Sequence, residues 1–242
     1  MTDAANAIAN LATYKRTDMK YRCQYCKKDF VKEASLAIHS CEPRKRFMSK
    51  EEPGVRLGFH AYLKFYELTQ GSTKKKTYEE FAESPYYKAF VKFGRYCVEI
   101  KAINPPRFIE WLLKQNKKID YWAKDSVYTE YLMGYLKIEA VSDALARAIE
   151  YSVDWAEIHR HPSQDCLRYG NTNVMCYAIT GGRISPWVVY NCESGQKFLA
   201  GLTPEQVAMI WAYIDADFWN KKFREYPEDQ QFAQEILKKA GW

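Results

Sequence analysis

Apolar and aromatic positions recur at three- and four-residue intervals along most of this chain, a pattern that predicts a mainly α protein. From Glu51 onward, Val55, Phe59, Tyr62, Phe65 and Tyr66 fall at helical spacing, up to a polar, basic loop, GSTKKK, at 71–76. Thr77 with Glu80 has capping-box spacing, and Ser84 before Pro85 starts a helix carrying Tyr86, Tyr87, Phe90, Phe93 and Tyr96. Asn104 with Pro105 opens the next, holding Phe108, Trp111 and Leu112. Asp125 is expected to cap a long helical stretch running to about Ile158, broken near Glu139 to Ser142. The part from His159 to Gly182 lacks a clear period and reads as irregular. Trp187 to Tyr190 and Lys197 to Leu199 read as a β-hairpin, near 186–200, around an Asn-Cys-Glu-Ser-Gly turn. Thr203, Pro204 and Gln206 mark a helix start for a face of Val207, Ile210, Trp211, Ile214 and Phe218. Pro227 opens a last helix that ends at Gly241.

Composition narrows the class. At 242 residues, 47% hydrophobic and 16% aromatic, the chain has ample material for a folded core. No apolar run approaches the roughly 18 residues needed to span a bilayer. The first residues, MTDAANAIANLATY, lack the basic start of a signal peptide, so 1–20 reads as an arm or a small-residue helix. Cys97, Cys166, Cys176 and Cys192 are scattered without pairing spacing, which suits a reducing, cytoplasmic setting.

The stretch Tyr21 to Arg46 breaks the helical rhythm. Cys23 and Cys26 stand two residues apart, Phe30 and Leu36 follow, and His39 and Cys41 close the set. This layout resembles a ββα zinc finger, with Phe30 and Leu36 where that family has its two small-core residues. The resemblance implies a hairpin and a helix over 21–46 gripping one tetrahedral zinc through Cys23, Cys26, His39 and Cys41. It also implies a closed structural site with no position open for substrate. The last pair departs from the family, because only Ser40 separates His39 from Cys41 where the family has three to five residues. Pro43 disfavours helical backbone at Glu42 and is expected to stop the helix soon after His39, so that Cys41 reaches the metal from an unwound turn. A segment this short buries too little to fold alone. The alternative is a chance cluster of free thiols.

Charge then points to partners. Net charge is +6, yet residues 1–76 hold 16 Lys/Arg against 8 Asp/Glu, while the remainder holds 20 against 22. A basic finger, followed by a basic linker at 47–53 and a near-neutral helical domain at 54–242, is the expected division. In the family the finger resembles, the base-reading positions fall on Lys32, Ser35 and Ile38. Of these, Lys32 suits guanine, Ser35 reads weakly and Ile38 cannot hydrogen-bond. Lys20, Arg22, Lys27, Lys28, Arg44, Lys45 and Arg46 are each placed to neutralise a phosphate. The expectation is a non-enzymatic protein that binds nucleic acid, DNA before RNA, mainly through the backbone. The alternative is an adaptor whose finger docks on a protein such as a polymerase or a virion component.

Other constellations are weaker. The run SPYYKAFVKFGRYC at 84–97 interleaves aromatics with Lys88, Lys92 and Arg95, as in single-strand platforms, but helical spacing favours core, with the exposed half of Tyr86 and Tyr87 left over. His159, His161, Cys166 and Cys176 invite a second metal site without a paired knuckle. Asp215 and Asp217, with Glu193 or Arg183, suggest a metal-dependent nuclease only if helix positions two apart converge. No phosphate-binding glycine loop or nucleophile elbow is present, and a small-molecule substrate is not expected. The stretches GGRISPWVVYN (181–191) and LTPEQVAMIWAYIDADFW (202–219) look like uncharacterised proteins of large tailed bacteriophages. That likeness implies the cytoplasm of an infected bacterium and no known activity.

Overall fold

The computed structural model describes residues 21–71 and 76–242. The arm at 1–20 therefore lies outside the described residues, as does most of the 71–76 loop. The chain divides into two compact units, one up to Lys101 and one from Ala102.

The first unit opens with a short antiparallel pair, β1 (Tyr21–Arg22) and β2 (Asp29–Phe30), in register Tyr21 to Phe30 and Arg22 to Asp29. Helices α1 (Glu33–Ala37), α2 (Glu42–Met48), α3 (Pro53–Gln70), α4 (Tyr78–Glu83) and α5 (Tyr87–Glu99) follow. The expected box is present at the start of α4, where Thr77 accepts from the Glu80 N–H and Glu80 accepts from the Thr77 N–H. The helix predicted from Ser84 and Pro85 begins two residues later, with Ser84 Oγ accepting from Tyr86 N–H in the turn. Of its aromatics, Tyr87, Phe90 and Phe93 are buried and Tyr86 is half exposed. The expectation of an exposed half is thus corrected for Tyr87, whose ring packs 4.8 Å from that of Phe81.

Helices α3 and α5 touch backbone to backbone. A Cβ on Gly94 would lie 2.0 Å from the Gly54 carbonyl oxygen and 2.6 Å from the Gly58 nitrogen. Arg95 then pairs bidentately with Glu52, at 2.6 and 2.7 Å, and ties α5 to the start of α3. Gly94→Ala is therefore expected to cost about 3 kcal/mol or more, since no side chain can yield to relieve the clash. Gly134→Ala, where nothing lies within 4 Å, should instead gain up to about 1 kcal/mol of helix propensity. Urea unfolding of the two variants checks both signs.

The second unit is helical among the described residues. It runs α6 (Pro105–Lys114), α7 (Asp125–Tyr135), α8 (Val141–His159), α9 (Cys166–Tyr169), α10 (Thr172–Thr180), α11 (Pro186–Asn191), α12 (Glu193–Ala200), α13 (Pro204–Ile214), α14 (Ala216–Glu225) and α15 (Pro227–Lys239). The break predicted within 125–158 falls between α7 and α8, but Asp125 is the first helical residue and Lys124 occupies the cap position. Asn104 caps α6, and Thr203 with Gln206 forms the predicted box on α13. Trp122, Tyr131, Trp187 and Trp219 are among the largest fully enclosed side chains.

Two expectations are overturned here. The hairpin near 186–200 is instead the helix pair α11 and α12. Ser185 Oγ accepts from Trp187 N–H with Pro186 in the first turn, and Cys192 Sγ accepts from Gly195 N–H at 3.3 Å. Pro186 to Val189 are enclosed on every side, and a short continuous apolar run has no period to separate a strand from a buried helix. Gly195, read as a turn residue, is where α12 meets α11, for a Cβ there would lie 2.5 Å from Val189 Cα. The part from His159 to Gly182, read as irregular, contains α9 and α10. Asn171 caps α10, which buries Met175, Cys176, Ala178 and Ile179.

One buried charge pair sits in this unit. Glu139, whose side chain has no exposure, receives two bonds from the Arg147 guanidinium, at 2.9 and 2.7 Å. Ser185 Oγ lies 3.4 Å from the same carboxylate, and Arg147 Nε donates to the Gly182 carbonyl. Burial pushes the Glu139 carboxyl above its ordinary range, and the guanidinium beside it opposes that rise.

Candidate metal centre

Cys23 leaves β1, and its backbone closes a tight knuckle. Cys23 N–H donates to Lys28 O, Lys27 N–H donates to Cys23 O, and Lys27 takes a left-handed φ of 61°. This turn brings Cys26 back beside Cys23. On the other side, α1 ends at Ala37 with Ile38 as its cap, so His39 leaves from just past the helix end. Cys41 follows in extended conformation, φ −118° and ψ 159°, as expected of an unwound turn. Pro43 does not stop a helix, contrary to expectation: α1 has already ended at Ala37, and Glu42 is itself the first helical residue of α2, with Pro43 accommodated in that first turn and Cys41 as the cap residue.

The four side chains converge. One ligand atom from each of Cys23, Cys26, His39 and Cys41 lies within 4.8 Å of all the others. Cys26 Sγ is 3.2 Å from His39 Nε2, and Cys23 Sγ is 4.0 Å from Cys41 Sγ. The Phe30 ring packs 4.7 Å from the His39 ring and holds it in place. Backbone N–H groups of the knuckle, that of Cys26 foremost, draw the Cys23 thiol down to about 7. Desolvation raises the Cys41 thiol. Three sulfurs and an imidazole at this spacing make a group able to hold a metal ion. No other such group occurs among the described residues.

The basic residues divide into two sets. Arg44 donates from Nη1 to the His39 carbonyl at 2.7 Å and fastens the ligand loop. Arg46 bonds to Glu42 and to the Ala82 carbonyl, and its guanidinium lies 4.6 Å from the Tyr87 ring centre. Arg44 thus fastens the ligand loop to α2 and Arg46 holds α2 against the following helices, roles not evident from the sequence, where the Glu42 and Arg46 spacing of four is the one signal. Arg22 is largely exposed but donates to the Lys27 carbonyl and lies 3.8 Å from Asp29. The Lys27 ammonium donates to the Gln24 carbonyl. Lys28, Lys32 and Lys45 point outward, without an ion-pair partner among the described residues, and Lys28 lies over the Phe30 ring. Lys20 lies outside the described residues. Helix α1 buries none of its side chains, so Lys32, Ser35 and Ile38 present an open face.

A chain of rings continues from the finger into the helices, Tyr25 to Phe47 at 5.3 Å, Phe47 to Tyr78 at 6.2 Å and Tyr78 to Phe59 at 5.5 Å. The segment read as a basic linker thus begins inside α2, and the finger is packed onto helices of its own unit.

The other constellations are not assembled. Cys166 and Cys176 are fully buried, whereas His161 stacks between Trp155 and Tyr169. Asp215 caps α14 by accepting from the Asp217 and Phe218 N–H groups, so the two carboxylates expected two apart on one helix instead sit at the break between α13 and α14. No described helix is long and apolar enough to cross a membrane. No family model, curated protein or solved structure matches the chain, and the bacteriophage likeness thus gains no relative to stand on.

Proposed function

We propose that Cys23, Cys26, His39 and Cys41 hold a structural zinc ion and that the finger so formed binds nucleic acid through its phosphates. Zinc is favoured by the donor set of three soft thiolates and one imidazole. A tetrahedral zinc site has edges of about 3.8 Å between sulfurs and about 3.5 Å between sulfur and nitrogen. The 4.0 and 3.2 Å separations here are near those values. All four positions are protein ligands, so zinc supplies cross-linking and no chemistry on a substrate.

The observation that carries the second half is the outward set of Lys28 on the knuckle, Lys32 at the cap of α1 and Lys45 on α2, all three exposed. Ammonium groups so placed give affinity without sequence information. DNA is the favoured polymer, because the resembled family lays its helix in a major groove that A-form RNA keeps too narrow. An accessory or regulatory role in DNA metabolism would follow. A mixed-sequence duplex should bind with affinity that falls steeply from 50 to 200 mM salt, in the range where phosphate contacts are screened, about fortyfold for three contacts. Lys28→Gln, Lys32→Gln and Lys45→Gln together should flatten the salt slope by about 2.7, near 0.9 per contact. Arg44 and Arg46 are left intact, since their loss would disturb the ligand loop. Unchanged binding in the triple variant would overturn the reading.

A second reading, docking of the finger on a protein, is favoured by Val31 and Ile38. These apolar side chains are 79% and 85% exposed and can form no hydrogen bond with a base edge. Loss of all binding to duplex at low salt, with the metal in place, would favour it.

A further inference from the structure

Beside the finger, and formed wholly within the first unit, lies a groove of about 580 Å³ whose character is opposite to that of the finger's open face. Its apolar surface comes from Tyr25 on the knuckle, from Pro43 and Phe47 on α2, and from Ala82 on α4. Its acidic edge comes from Glu79 and Glu83, both exposed. These two stand four residues apart on α4, so their side chains share one helix face one turn apart. Neither has an ion-pair partner among the described residues, whereas the third carboxylate of the groove, Glu42, is held by Arg46. Arg46 is fixed in turn by the Ala82 carbonyl and the Tyr87 ring, so its charge is spent within the wall. Lys27 stands at the edge with its ammonium on the Gln24 carbonyl.

We propose that this groove is a docking site for a basic peptide segment of a partner protein, with a lysine or arginine seated between Glu79 and Glu83 and an apolar neighbour on Tyr25 and Phe47. Charge complementarity selects this occupant. Two carboxylates one helical turn apart are matched to a single cation, and the aromatic surface beside them to the alkyl stem that carries it. The same carboxylates repel a phosphodiester, so the groove and the finger's lysines face different partners. The proposal does not depend on nucleic-acid binding. With a net charge of +6, the chain as a whole repels a cationic peptide, so attraction here is local.

The test uses the full-length protein and a fluorescein-labelled hexapeptide of alternating lysine and leucine, followed by anisotropy at 50 mM salt. Its counterpart has norleucine in place of lysine. Saturable binding of the lysine peptide is expected, weakened at least tenfold by Glu79→Gln with Glu83→Gln and at least tenfold for the norleucine peptide. Both substitutions lie on an exposed helix face, and circular dichroism verifies that the fold is kept. The Lys28, Lys32 and Lys45 triple variant should bind the peptide as the parent does. Equal binding of the two peptides, or binding indifferent to the two glutamines, would overturn the proposal. So would a change of oligomeric state on substituting the two glutamates, which would make a second copy the occupant.

Discussion

Replacing Cys23 by serine is expected to release the metal and unfold the stretch from Tyr21 to Met48. The reason lies in how little else holds that stretch together. Its two strands are two residues each, α1 buries no side chain, and Phe30 and Leu36 are only half covered. A segment with so small an apolar interior does not fold on hydrophobic burial alone. Structural zinc contributes an apparent 10–16 kcal/mol, roughly, to peptides of this size. Cys23 is the most enclosed of the four clustered side chains, at 3% exposure, and backbone N–H groups already favour its thiolate. Serine keeps the shape but offers a hydroxyl that binds zinc poorly. Far-UV circular dichroism should change little, because α1 and α2 are short. Proteolysis should become rapid between Tyr21 and Met48, while the unit from Ala102 stays resistant. An intact finger in the metal-free variant would contradict this account.

The second large effect is expected at Arg147. Arg147→Met leaves the Glu139 carboxylate enclosed, with the Ser185 hydroxyl beside it and the Lys222 ammonium acting only through space. Removing one member of a buried pair typically costs about 3–5 kcal/mol, because the remaining charge has lost its compensation. The pH dependence has a definite sign. Burial already raises the Glu139 carboxyl in the folded chain, so the folded state holds this proton more tightly than the unfolded one. The stability linked to that proton is complete below the ordinary carboxylate range and is lost as pH rises through the raised value. Without the guanidinium the value rises further. The deficit of the Arg147→Met variant should therefore be greatest near neutrality and shrink toward pH 4, as read by urea unfolding at several pH values. Glu139→Leu combined with Arg147→Met should recover most of the loss, since an apolar pair leaves no charge to compensate.

Elements that announce themselves locally were legible from the residues. Thr77 with Glu80 and Thr203 with Gln206 place helix starts through side chains that satisfy the first N–H groups, whatever the rest of the fold does. The ligand group was legible for a similar reason. A Cys-x-x-Cys turn is local, and the residue types at 39 and 41 restrict the partners. The helix at 186–191 was not legible, because enclosure on all sides erases the polar face from which a period is read. Nor were the roles of Arg44 and Arg46, for an arginine that faces inward is written like one that faces solvent. The Arg44 contact with the His39 carbonyl depends on the turn between α1 and α2, and the Arg46 contact with the Ala82 carbonyl exists only once α2 has packed on α4. The same holds for Gly195, a turn residue by composition and a close helix contact in three dimensions.

Zinc K-edge X-ray absorption of the purified protein tests the central claim most directly. One zinc per chain is predicted, with three sulfur neighbours at about 2.3 Å and one nitrogen at about 2.0–2.1 Å. A protein that carries no stoichiometric zinc after purification without chelators, or a shell dominated by oxygen, would contradict it.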